Sequence, residues 1–181
     1  MTSYAAFLRG IMPANPNMKN EKLRAVFEGL GFTKVASLLS SGNIVFESPE
    51  TDVPELESRI QAALQAELGI GGGTIIRSRE QLQELVDSDP FTGLTHCRET
   101  YLTVTFVKDV AAGPPGALDD TTAKAVRVLA FDKPAAAVLS VIDNTDPSTT
   151  NFMAWIEKSY GKEITTRTFL TVQKTLKKLG A

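Results

Sequence analysis

Arginine is well built to hold an anion, because its planar guanidinium offers a rigid fork of donors to a carboxylate or a phosphate. Two arginines of this 181-residue chain stand where such a group would be useful. Arg9 closes an apolar run and opens a loop rich in Gly, Pro and Asn. Strand ends are where a scaffold presents polar groups to a ligand. Arg167 follows Thr165 and Thr166 and precedes an amphipathic run. Free N–H groups at a helix start attract anions, and hydroxyls with a guanidinium add to that pull. A cation in a first helical turn opposes the helix dipole, so Arg167 there asks for a reason. Ser41, Gly42 and Asn43 lie between two apolar runs and offer backbone N–H groups, a hydroxyl and an amide. Arg9, Ser41, Asn43, Thr166 and Arg167 are therefore the candidate ligand-binding residues. Each also has a structural alternative. The arginines could pair with carboxylates, Gly42 and Asn43 could supply positive φ to a turn, and Thr165 or Thr166 could be a plain N-cap.

Other chemistry finds less support. His96 and Cys97 are the one histidine and the one cysteine. Structural zinc wants four ligands, so adjacent residues with no second pair make no metal site. Phe152, Trp155 and Ile156 read as core. The glycine cluster at 69–73 lacks the Lys-Ser/Thr of a phosphate loop and precedes a strand. No cofactor is expected, and the catalytic residues, if any exist, are unknown. No carboxylate pair or histidine offers an obvious general base. The best reading is a non-catalytic binding module for a phosphate- or carboxylate-bearing ligand. The alternatives are a small-molecule enzyme acting on such a substrate, or a protein-interaction or homodimer domain built on an open sheet edge.

Charge narrows the partners. The net charge is -2 and the isoelectric point is acidic, which disfavours a general nucleic-acid binder. The last part of the chain is locally basic, with Lys158, Lys162, Arg167, Lys174, Lys177 and Lys178 against Glu163. Last-turn lysines complementing a helix account for that pattern. The longest apolar run, residues 135–142, is far short of the ~20 needed to span a bilayer. A single thiol makes no internal disulfide, and Arg9 arrives before an apolar leader can form. A cytoplasmic protein with no membrane partner is expected.

The elements that must position these residues follow from periodicity. Residues 4–9 read as a strand. Leu23, Val26, Phe27 and Leu30 recur at helical spacing, with Asn17 or Asn20 as the cap and Gly31 as the stop. Residues 35–39 and 44–46 form a hairpin. Asp52 and Glu55 open a second helix, Gly69 closes it, and residues 74–77 add a strand. Ser78 and Gln81 open a short helix, which Asp89-Pro90 stops. Residues 101–107, 125–131 and 138–142 read as strands, Phe152, Ile156 and Tyr160 mark a helix, and a last helix carries Phe169, Val172, Leu176 and Leu179. The order is that of an α+β fold with two ferredoxin-like (split βαβ) lobes. The first spans residues 1–77 and the second 98–181, joined by a helix and loop over 78–97.

Phe7-Leu8-Arg9-Gly10-Ile11, Lys22-Leu23-Arg24, Gly31-Phe32 and Ser41-Gly42-Asn43-Ile44-Val45-Phe46 resemble, in combination, the bacterial family called domain of unknown function 1697. Residues 165–172 are similar to that family's C-terminal motif. The resemblance implies an α+β fold of two lobes and no particular activity. This chain departs from the family's pattern at Met12-Pro13-Ala14-Asn15, where the family usually has Asn-Val-Gly-Gly, and at Thr168-Phe169-Leu170, where it usually has Asn-Trp-Asn.

Overall fold

The structure is a computed structural model that describes residues 1–180. Its contacts divide the chain into two units. One is Met1–Leu82 together with the chain from Lys174 onward, the other Gln83–Gln173.

The first unit holds a four-stranded antiparallel sheet of β1 (Thr2–Leu8), β2 (Thr33–Leu38), β3 (Asn43–Ser48) and β4 (Thr74–Ser78) in the order β2-β3-β1-β4. Helices α1 (Asn20–Gly29) and α2 (Val53–Leu68) cross over between β1 and β2 and between β3 and β4. Strand side chains alternate between faces. Tyr4, Ala6 and Leu8 of β1 meet Leu23 and Phe27 of α1 and Leu56, Ile60 and Leu64 of α2 in one core. Each leucine, isoleucine or phenylalanine among them contributes roughly 1.5–3 kcal/mol by leaving water. Phe46 anchors an aromatic group there, 4.7 Å from Phe32 and 5.4 Å from Phe27 between centroids.

Helix boundaries follow local chemistry in most places. The Asp52 carboxylate accepts the Glu55 N–H at 3.1 Å and starts α2, and Gly69, at φ 70°, ends it. At α1 the expected asparagine cap does not form. Lys19 occupies the cap position with no side-chain bond. Asn15 instead caps a short 3-10 turn at Pro16–Met18, and the Asn20 amide donates to the Leu39 carbonyl at 2.6 Å.

The second unit repeats the strand plan with β5 (Tyr101–Val107), β6 (Val126–Asp132), β7 (Ala137–Ile142) and β8 (Ile164–Thr168), ordered β6-β7-β5-β8 and antiparallel throughout. Helix α4 (Phe152–Tyr160) lies between β7 and β8 in sequence. It brings Phe152, Trp155 and Ile156 onto Val107, Val138, Ile142 and Ile164. Where the first unit has α1, this one has a Gly-Pro-rich loop and the 3-10 turn Thr122–Lys124. The loop is strapped to α4. Trp155 Nε1 donates to the Ala117 carbonyl at 3.1 Å, the Gly116 N–H to Ser159 Oγ at 3.0 Å, and the Tyr160 hydroxyl to the Gly113 carbonyl at 2.9 Å.

Helices α3 (Arg79–Asp87) and α5 (Phe169–Leu179) follow β4 and β8. Ser78 and Gln81 form a reciprocal capping box at 2.8 and 3.2 Å. No helix among the described residues is long and apolar enough to cross a membrane.

Candidate functional site

The end of β1 is where the first unit gathers its candidate residues. The Arg9 N–H donates to the Gly73 carbonyl at 3.0 Å, and the Leu8 N–H to the Gly42 carbonyl at 2.9 Å. Three loops therefore converge on residues 8–10: the one that follows β1, the β2–β3 turn and the α2–β4 loop. Their approach is so close that only glycine serves at two positions. A Cβ on Gly42 would lie 2.6 Å from Ile11 Cγ1, and one on Gly72 would lie 2.0 Å from the Arg9 carbonyl oxygen. Gly42 also has φ +83°, which favours residues without a Cβ. Arg9 is half-buried and Ser41 is exposed at this convergence.

Asn43 is fully buried. Its amide donates to the Leu38 carbonyl at 3.1 Å and to Ser41 Oγ at 2.9 Å, closing the hairpin. The positive φ expected of Asn43 falls on Leu39 instead, at 57°. Asn43 is the first residue of β3, paired across to Phe7, so its backbone is extended.

Thr166 and Arg167 belong to the second unit. They lie on β8, not at a helix start. The cap of α5 is Thr168, whose Oγ1 accepts the Thr171 N–H at 3.2 Å. The dipole conflict expected at Arg167 therefore does not arise. Thr166 pairs with Thr105 and meets its hydroxyl at 2.8 Å. As its strand neighbour, Arg167 points to the opposite face. Its Nη1 donates to Thr165 Oγ1 at 2.7 Å and to the Thr166 carbonyl at 3.0 Å, and burial pulls the guanidinium down to about 10.

Sequence reasoning missed Arg77. It sits on β4 opposite Ala5 and is wholly buried. Its Nη1 donates to the Ile76 carbonyl at 2.8 Å, while the Ile76 N–H donates to Glu57 Oε2 at 2.9 Å. Burial lowers Arg77 to about 10, and the Glu57 charge opposes that shift. Arg77 and Arg167 occupy matching places in the two sheets, each bonded to the carbonyl before it. A signal was there to read. An arginine followed by a hydroxyl residue closes both strands, as Thr74-Ile75-Ile76-Arg77-Ser78 and as Ile164-Thr165-Thr166-Arg167-Thr168.

His96 Nδ1 accepts the Leu102 N–H at 3.1 Å, and its ring lies 4.6 Å from that of Tyr101. Cys97 is exposed. The described residues hold no group of three or more His, Cys, Asp or Glu side chains arranged to hold a metal ion.

Residues 1–133 match the family described as protein of unknown function (DUF1697). The chain belongs to the DUF1697 family. The DUF1697 match contains Arg9, Ser41, Asn43 and Arg77, whereas Thr166 and Arg167 lie beyond it. A comparison with curated proteins finds no match. Among solved structures, the chain is similar to the conserved bacterial protein SP0830 from Streptococcus pneumoniae, at 20% identity and TM-score 0.71, over 98% of each chain. At that identity the likeness shows the shared fold alone. The fold is α+β, with two four-stranded antiparallel sheets.

Proposed function

We propose that this protein is a non-catalytic binding module for a phosphate- or carboxylate-bearing ligand, taken up at the Arg9 end of the first sheet. The observation that carries the reading is the glycine-dependent convergence of three loops on residues 8–10. Such closeness brings backbone groups, the exposed Ser41 hydroxyl and the Arg9 guanidinium to one end of a rigid sheet. Function concentrates on loops that a scaffold holds still. Asn43 is a positioning residue here, since its amide is bonded within the turn. The donors of Arg167 that bond Thr165 and Thr166 serve its own strand. A binding rather than catalytic role is supported by His96, whose Nδ1 already accepts a backbone N–H. The lone thiol supports a cytoplasmic setting.

The test is calorimetric titration of the full chain with inorganic phosphate, adenosine monophosphate and acetate. At least one should bind, and Arg9→Ala should weaken it tenfold or more, as loss of a charge-assisted contact requires. Arg167→Ala should lower stability and leave that affinity in place. Binding unchanged in Arg9→Ala, or absent for all three probes, would remove the proposal.

A further inference from the structure

The second unit has a cavity of about 710 Å³ between the strapped loop and one face of α4. That is the size range of small-molecule sites, which are lined mainly by apolar side chains with a few convergent polar groups. Trp155, Ala154 and Pro114 supply the apolar lining. Asn151, Ala154 and Lys158 stand at helical spacing i, i+3 and i+7, so they share a face. The cavity is built before any ligand arrives. Its loop carries Gly113-Pro114-Pro115-Gly116, whose prolines fix φ, and three side chains of α4 hold the loop down.

Two opposite charges line this cavity, Lys158 and Asp119. They form no ion pair with each other, and among the described residues no hydrogen bond or ion pair holds the Lys158 ammonium. The Asn151 side chain is likewise without a partner. Asp119 is oriented by Thr122, whose N–H and Oγ1 each donate to one carboxylate oxygen at 2.8 Å. No cation forms an ion pair with this carboxylate among the described residues. A positive and a negative group facing one preformed hollow, each without the other, match a ligand that carries both charges.

We infer that this cavity binds a small zwitterion of amino-acid type, with its carboxylate on Lys158 and Asn151, its ammonium on Asp119 and its apolar body against Trp155. A free amino acid and a short peptide share this chemistry. The site is separate from the Arg9 end and stands without it.

The experiment is an amide NMR titration of the full chain with leucine, dialanine and trialanine, alongside N-acetyl-dialanine and dialanine amide. The free zwitterion should shift the Trp155 indole and Gly116 signals. Blocking either ligand charge should weaken binding tenfold or more, and Lys158→Gln should do the same. Tighter binding of leucine identifies a free amino acid, and tighter binding of the peptides identifies a peptide end. Because Asp119 also orders the Thr122 turn, the Asp119→Asn spectrum is checked for dispersion, and Asn151→Ala provides a second variant that leaves that turn alone. No shift at millimolar ligand, equal binding of blocked and free forms, or full affinity in Lys158→Gln would overturn the assignment.

Discussion

Arg77 is the largest fully buried side chain of the protein, and it carries a charge. A guanidinium with no exposed surface must recover its lost hydration from bonds and from the Glu57 charge. Removing one member of such a pair leaves the other buried and uncompensated, at about 3–5 kcal/mol. Arg77→Met and Glu57→Leu should therefore each cost several kcal/mol in urea denaturation, whereas the double variant should cost clearly less than their sum. Strict additivity would mean that the two groups do not act on one another. Pattern reading selected Arg9 because it closes an apolar run and Arg167 because it follows two threonines at an expected helix start. It passed over Arg77, which it read only as the last residue of a strand over residues 74–77. Its burial is a tertiary fact. Asn43 was legible as a turn residue, but its burial and its amide bond to the Leu38 carbonyl depend on how β3 pairs with β1 and with β2.

At the scale of elements, local chemistry was readable wherever a side chain acts on its own neighbours. The Asp52 and Ser78 caps and the Gly69 stop are of this kind, each a short-range bond or a φ requirement. The cap of α1 was not legible, because Asn20 spends its amide across the fold on Leu39. The same limit applies to α5. Threonines at 165, 166 and 168 are equivalent as letters, and strand pairing with β5 decides that the last one caps. The strap on α4 makes a pH prediction. Burial raises the Tyr160 phenol from 10.0 to about 12. Between those values the unfolded chain releases the proton and the folded one keeps it, so stability is full below the lower value and is lost as pH rises through the higher one. Absorbance titration of tyrosinate should show a phase near 12 whose amplitude falls in Tyr160→Phe, while Tyr4, which burial also raises, still titrates late. If that variant leaves the amplitude unchanged, the strap is not its source.

At the scale of the whole molecule, α+β with two sheet lobes was legible because strand and helix periods alternate in order. The composition of the first unit was not. It takes in the chain from Lys174 onward, where Lys178 and Leu179 line a small cavity with Val45 and Phe46. No local signal ties a C-terminal helix to an N-terminal hairpin. Truncation after Gln173 should therefore loosen β2 and β3, although some 125 residues separate them from the cut in sequence. Hydrogen exchange should show faster exchange at residues 36–46 in the truncated chain. Unchanged protection there would mean that the terminal turns of α5 are dispensable to the unit.

Terminal strands of open sheets are templates for unwanted polymerisation, and natural proteins blunt them with charge. At Ile76 both main-chain groups are already occupied, one by a carboxylate and one by a guanidinium, and at Thr166 the oxygen is occupied by a guanidinium too. A foreign polypeptide trying to extend either sheet past β4 or β8 would have to evict a sequestered cation first. Fibril seeding and strand-exchange assembly are thereby steered toward the far borders, β2 and β6.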